Sequence, residues 1–345
     1  MDRDYNDIVD KLLDCNPDPI PKLVLLKEFK GYTPGCIEYQ NAYERVCEHP
    51  FVKRIEQSQN SKGFWSPFHS DTEGFIRKLL WYGLDSDHDC LNRVKEYMIK
   101  LIRREEPYDR FEKQDNIRWW PEMFMPLCVS ATLSLLDNTN ENLISHRTRW
   151  ADFTETALVN GLIRSGGADT EKRIRSDLFA PLKDSYDHQA YAKAQCQHFG
   201  FKTKRIIQPF NLYCLLLLAP RNGKTHLSTC ADQAMVDYGM NVADNLYYVY
   251  NKKPGELVSL HAQGADSQEF CHWIRALSLI SQFNGWQRYA DTYADWIMAQ
   301  RNQDGLWEYP KKHHLFGLSN SWKGKNRAID STIFVLRMLM KKRAL

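Results

Sequence analysis

Ile297-Met298-Ala299-Gln300-Arg301-Asn302-Gln303-Asp304-Gly305-Leu306-Trp307 is the stretch on which the reading of the fold turns. Upstream of it Trp286, Tyr289, Tyr293, Trp296 and Ile297 recur at helical spacing, so it closes an amphipathic helix. A near-copy lies towards the other end of the sequence, Ile55-Glu56-Gln57-Ser58-Gln59-Asn60-Ser61-Lys62-Gly63-Phe64-Trp65. Ile, Asn, Gly and Trp fall at equivalent places in both, and both carry Gln ahead of the Gly. Each element has a physical use at the end of a helix. Gly supplies the left-handed residue that stops it. Gln bonds freed carbonyls or the next helix's amides, and Trp covers the turn with a large apolar plate. A clasp used twice implies a helical hairpin used repeatedly.

Helical periodicity dominates outward from the clasps. Leu91, Val94, Tyr97, Met98, Leu101 and Ile102 form one stripe, and Phe270, Trp273, Ile274, Leu277 and Ile280 another. Breakers at Gly63, 83–89, 138–140, 166–167, 220–223, Gly255, Gly264, Gly285 and Gly305 divide the chain into roughly five helical hairpins of ordinary repeat size. Residues 1–50 read as two or three short helices packed on the rest. Pro17, Pro19 and Pro21 end the first and start the next at Lys22. Leu257–His261 is the best extended candidate. No linker or low-complexity tract interrupts 1–345, so a single domain is expected.

The pattern Gln-x(3–5)-Gly-x-Trp resembles the Gln/Trp repeat of squalene and hopene cyclases and of the related protein prenyltransferases. Gln300, Gly305 and Trp307 carry the match at one end, and Gln57 or Gln59, Gly63 and Trp65 at the other. The likeness extends into the helix after each clasp, 73–82 and 330–340, and to the hairpin 266–307. Residues 105–255 carry no clean copy. The resemblance implies an all-α fold, an α/α toroid of helical hairpins closed around a central cavity. The length suits one toroid, not the two of the cyclases.

Bulk properties exclude some functions. With 46 basic and 43 acidic residues, the net charge of +3 is too balanced for a general nucleic-acid binder. No apolar run approaches the ~20 residues that span a bilayer. The N-terminus lacks a secretory signal's layout. Nine cysteines without a CxxC pair read as reduced thiols, which places the protein in the cytoplasm. Aromatic residues make up 12% of the chain, enough for an aromatic core or cavity.

The chemistry is less directly written. The Asp-x-Asp-Asp acid of proton-initiated cyclases is absent. Asp85, Asp87, Asp89 and Glu96 have EF-hand spacing, but Cys90 stands where that loop needs Gly. The expected alternative is a turn with Asp87 or Asp89 capping a helix. Glu269-Phe270-Cys271-His272 gathers zinc-ligand types, yet adjacent Cys and His diverge on a helix. No cofactor is therefore expected, with Zn2+ or Mg2+ as minor alternatives. Asn222-Gly223-Lys224-Thr225 lacks the upstream Gly of a phosphate loop.

Polar groups at the starts of candidate inner helices remain. Helix N-termini favour carboxylates there, and in a toroid they converge on one mouth. Glu73, Glu122, Glu269, His272 and Asp330 are the acid/base candidates, beside Asp71, Asp115 and Asp266. Trp119, Trp120 and Trp273 are the candidates for lining the cavity, by cation–π contact, by stacking on sugar rings, or as core. Lys311, Lys312, His313, His314, Lys323, Lys325 and Arg327 form a basic loop able to gate the cavity or hold an anion. The leading expectation is a terpenoid cyclase- or prenyltransferase-like enzyme acting on a small hydrophobic, isoprenoid substrate. A carbohydrate-active toroid (hydrolase, lyase or epimerase) and a non-catalytic ligand-binding or scaffold toroid stand beside it.

Overall fold

The computed structural model describes residues 5–66, 68–108, 119–160, 162, 188–203, 205–221, 224–260, 269–310 and 317–341. It is all-helical: no strand occurs among the described residues, only isolated bridges such as Asn211 with Tyr247. Leu257–Leu260, expected to be extended, forms no ladder because no neighbouring backbone pairs with it. His261 lies outside the described residues.

Two kinds of helix follow from two kinds of sequence. Helices α7 (Met125–Leu136), α10 (Leu212–Leu218), α12 (Glu269–Ile280) and α14 (Gly324–Leu339) are largely buried, and α5 (His69–Trp81) is buried mainly along one face and at its C-terminal end. In α7 and α10 nearly every residue is apolar and inaccessible, as expected of a helix packed on all sides. Helices α6 (Asp89–Ile102), α8 (Ile144–Leu158) and α13 (Gln287–Met298) bury one face and leave the other in water. Helices α9 (His188–Phe199) and α11 (Thr229–Asp237) pack against α8.

Contacts among these five helices run in sequence: α5 meets α7, α7 meets α10, α10 meets α12, and α12 meets α14. Arg337 of α14 also donates to the Trp81 carbonyl at the end of α5 at 3.0 Å, and Phe334 packs edge-on against Trp81.

The N-terminal helices are α1 (Asn6–Asp14), α2 (Pro19–Val24), α3 (Ile37–Cys47) and α4 (Pro50–Ser58). Helix α2 starts at Pro19, not at Lys22, since proline fits the first helical position and Asp18 precedes it. It packs on α14, and Glu28, four residues past its end, accepts from Nε and Nη2 of the buried Arg337 at 2.7 Å. Among the described residues no helix is long and apolar enough to cross a membrane, and all nine cysteines are free thiols.

The two clasps share one hydrogen-bond pattern. The Trp65 indole donates to the Ile55 carbonyl at 2.8 Å, and the Trp307 indole to Ile297 at 2.9 Å. The Trp65 amide reaches the Thr72 hydroxyl, and the Trp307 amide that of Thr332. Asn60 and Asn302 each receive two backbone amides from the turn. One expectation needs correcting. The glycines do have positive φ, +98° at Gly63 and +75° at Gly305. Helices α4 and α13, however, stop several residues earlier, at Ser58 and Met298. The Asn side chain organises the turn, and Gly completes it.

Candidate functional site

Helix α5 sets out His69, Glu73 and Arg77 at four-residue spacing, one stripe on one face. Glu73 is buried, and both its oxygens are engaged. Arg77 donates to one at 2.7 Å, and the Tyr213 hydroxyl of α10 donates to the other at 2.9 Å. His69 lies 3.6 Å from the same carboxylate, and burial pushes its pKa down although Glu73 pulls it up. Burial, reinforced by Cys128 and Glu73, holds the Tyr213 pKa far above its ordinary value, so Tyr213 remains a donor. Burial likewise pushes the Cys128 thiol up. With a guanidinium and a hydroxyl on its oxygens, Glu73 works as an anchor between α5 and α10.

The anchor adjoins an aromatic cluster. Phe124 meets Tyr213 edge-on at 5.8 Å and stacks with Trp119 at 5.2 Å, while Trp120 lies 4.6 Å from it. Arg205 stands over the Trp119 ring, whose buried indole N–H has no hydrogen-bond partner among the described residues. Tyr248 rests against both Phe124 and Tyr213.

A cavity of about 590 Å³ opens beside this cluster. Its described lining is the segment Asn245–Lys252 together with Glu269 and His272. These last two are three residues apart on α12 and so share a face. Lys252 pairs with Glu269 at 2.8 Å, and the Tyr250 hydroxyl donates to the same oxygen at 3.3 Å. Burial, and after it the Glu269 charge, raise the Tyr250 pKa, which keeps that hydroxyl protonated. His272 Nδ1 lies 3.2 Å from the Val249 carbonyl. A carbonyl only accepts, so Nδ1 is the donor of this bond, and in the tautomer with its one hydrogen on Nδ1 the lone pair is on Nε2.

The structure therefore gathers Glu73, Trp119, Trp120, Glu269 and His272 around the N-terminal ends of α5, α7, α10 and α12. The other candidates lie elsewhere. Trp273 is in the core, its indole donating to the Pro254 carbonyl at 2.9 Å, because its side of α12, shared with Phe270, faces Tyr293 and Trp296 of α13. Glu122 is exposed, with Arg104 at 3.7 Å. Asp330 is buried on α14, where the Leu318 and Ser319 amides and the Ser319 hydroxyl donate to it at 2.7–2.9 Å. Asp71 takes the Ser66 hydroxyl. Asp115, Asp266 and the basic residues 311–314 lie outside the described residues. Of the rest of the basic loop, Lys325 reaches the Cys15 carbonyl and Arg327 pairs with Glu308.

The metal alternatives find little geometry. Asp85 is taken by Lys27 at 2.5 Å, and α6 carries Glu96 away from it. The residue capping α6 is His88, not Asp87 or Asp89, and it makes no side-chain cap bond. Cys271 is buried away from the cavity that His272 faces. Among the described residues no group of three metal-binding side chains converges.

Sequence reasoning missed Tyr213, Phe124, Arg77 and the whole 245–252 segment. The available signals were the four-residue stripe on α5 and the tyrosine density of Tyr247-Tyr248-Val249-Tyr250. No protein-family model, curated protein or solved structure matches the chain.

Proposed function

We propose that the chain is an α/α toroid with α5, α7, α10, α12 and α14 as its inner ring. In this reading the mouth formed by their N-termini is the site of an enzyme doing acid–base chemistry on a small, hydroxyl-bearing ring substrate of carbohydrate type. One observation carries it. Glu269 and His272 share a face of α12 and front a cavity whose described lining is otherwise tyrosine, amide and lysine, with Leu246 and Val249 as the only aliphatic members. Its volume lies within the ~300–1,000 Å³ usual for small-molecule sites. Tyrosines stack on sugar rings, and amides read hydroxyls. His272 Nε2 takes the substrate proton as general base. Tyr250 and Lys252, already donating to Glu269, stand ready to steady the oxyanion that forms. The nine free thiols suit a cytoplasmic setting.

A second reading has its own support. The Trp119, Trp120 and Phe124 cluster is the kind of surface that steadies a carbocation. With the two clasps, it keeps an isoprenoid-processing enzyme of the cyclase and prenyltransferase type in play. The test is direct. The protein is incubated in D2O with a panel of aldoses, uronic acids and short oligosaccharides, and in parallel with prenyl diphosphates with and without Mg2+. Deuterium entering a sugar, and lost in His272→Asn, supports the first reading. Products from prenyl diphosphates alone replace it with the second. Turnover of neither leaves a ligand-binding or scaffold toroid.

A further inference from the structure

Two locally unfavourable features sit three residues apart in the loop that lines the cavity. The first is the backbone of Tyr248. Among the described residues four non-glycines have positive φ: Asn16, Arg104, Tyr248 and Lys341. Asn16, Arg104 and Lys341 each stand two residues past the end of a helix, at the position where a left-handed residue closes the helix. Tyr248, at φ +70°, closes no helix. It is the middle of a tight loop in which Leu246 and Tyr250 exchange backbone bonds, each 2.8–3.0 Å long. The Tyr247 carbonyl ties that loop to α10 by accepting from the Leu212 amide. A glycine or asparagine would fill this position with less strain. A bulky aromatic there marks a site where conformation is held for use.

The second feature is Asn245. Asn245 lines the cavity, and its buried Oδ1 has no hydrogen-bond partner among the described residues. Buried acceptors are nearly always satisfied, and the exceptions cluster where a ligand or water completes them.

The Tyr248 ring faces two ways. One side is backed by Phe124 and by Tyr213, which Glu73 anchors. Yet the residue is 62% exposed, at the edge of the cavity. We infer that Tyr248 and Asn245 form a specificity subsite: Tyr248 is the platform on which the substrate ring stacks, and Asn245 accepts a hydrogen bond from a hydroxyl or N–H of that ring. This subsite rests on the carbohydrate reading and narrows it to rings that present a flat apolar face and a donor. It excludes a purely anionic ligand, which brings no hydrogen to Asn245.

Residues kept for binding at the expense of stability have a joint signature. Tyr248→Asn relieves the left-handed strain, and Asn245→Leu removes the unsatisfied acceptor. Both variants are titrated calorimetrically against N-acetylglucosamine, glucuronate and cellobiose, beside the unaltered protein and Tyr248→Phe, and their Tm values are recorded. The expected result is a loss of affinity of roughly tenfold in each of the two variants, with Tm equal to or above that of the unaltered protein. Tyr248→Phe keeps its affinity. Unchanged affinity in Tyr248→Asn and Asn245→Leu overturns the subsite and leaves the cavity reading standing. A fall in Tm in both variants overturns it too, since the two residues are then structural. If the unaltered protein binds none of the three sugars, the carbohydrate reading fails and the subsite with it.

Discussion

The clasp at 55–65 and the clasp at 297–307 are built from the same bonds and held by different neighbours. In the first, Gln59 reaches out of the turn. Its amide donates to the Gly63 and Cys90 carbonyls, and its oxygen accepts from Arg93 of α6. In the second, the equivalent residue is Arg301, whose side chain, among the described residues, bonds back to its own helix at Met298. The Trp plates differ in the opposite sense. Trp307 is completely buried, whereas Trp65 is half-buried. The first clasp is thus braced from outside by the next hairpin, and the second from inside by its own ring. A repeated motif fixes its internal hydrogen bonds, while the surroundings of each copy decide which residue carries the stability.

That contrast can be broken experimentally. The largest effect is expected at the plates. Trp307→Ala removes a fully buried indole and should cost about 3–5 kcal/mol, with Trp65→Ala clearly less, as read from urea unfolding. Equal losses would erase the inside/outside distinction. Next come the glycines. A Cβ at Gly63 would stand 2.7 Å from the Arg93 carbonyl, whereas at Gly305 it would meet nothing within 4 Å. Gly63→Ala combines that clash with an unfavourable φ and should cost roughly 2–4 kcal/mol, and Gly305→Ala about 1, from φ alone. Similar Tm shifts in the two variants would contradict this.

A buried carboxylate stands beside the second clasp at a place where the first has none. Thr72 and Thr332 are equivalent, so Ser70 occupies in the first hairpin the place of Asp330 in the second. Burial raises the Asp330 carboxyl to about 6 although the Ser319 and Leu318 donors pull it down. Its unfolded value is near ~3.9, so the folded state holds the proton more tightly. The stabilisation this brings is complete below about pH 4 and is lost as pH rises through about 6, about 2–3 kcal/mol in all. Asp330→Asn should flatten the stability profile over that window; an unchanged slope would place the titration elsewhere. Smallest is the brace itself. Gln59→Ala should cost about 1 kcal/mol, and Arg301→Ala close to nothing. A double substitution of Gln59 and Arg93 that proves additive would show that the two side chains are not coupled.

The sequence was most legible where chemistry is local. The clasps could be read because Asn, Gly and Trp act within eleven residues of one another, and the helices because apolar stripes repeat. The α12 pair Glu269 and His272 was legible for the same reason, one face of one helix. The bond from Gln59 to its neighbour was foreseeable in kind, but nothing local says that Arg301, at the same place in the second copy, turns back on Met298 instead. Glu73 was found as a helix-start carboxylate, yet its partner Tyr213 lies 140 residues away. Trp273, a candidate for cavity lining or for core, lies in the core, a choice its stripe left open because periodicity shows that one face is apolar, not what that face fronts. The 245–252 loop was hidden because neither helical nor strand periodicity marks it.

The pair of Glu28 and Arg337 sets a clock on synthesis. Their side chains lie 309 residues apart in sequence. At a translation rate of roughly 5–20 residues per second, Glu28 emerges about 15–60 s before its partner exists. Until then the face of α2 that meets α14 has nothing to dock on, and a carboxylate destined for burial must stay in water. Closure of the native contacts is therefore a late, long-range event in the life of the nascent chain, the kind of step that slows folding.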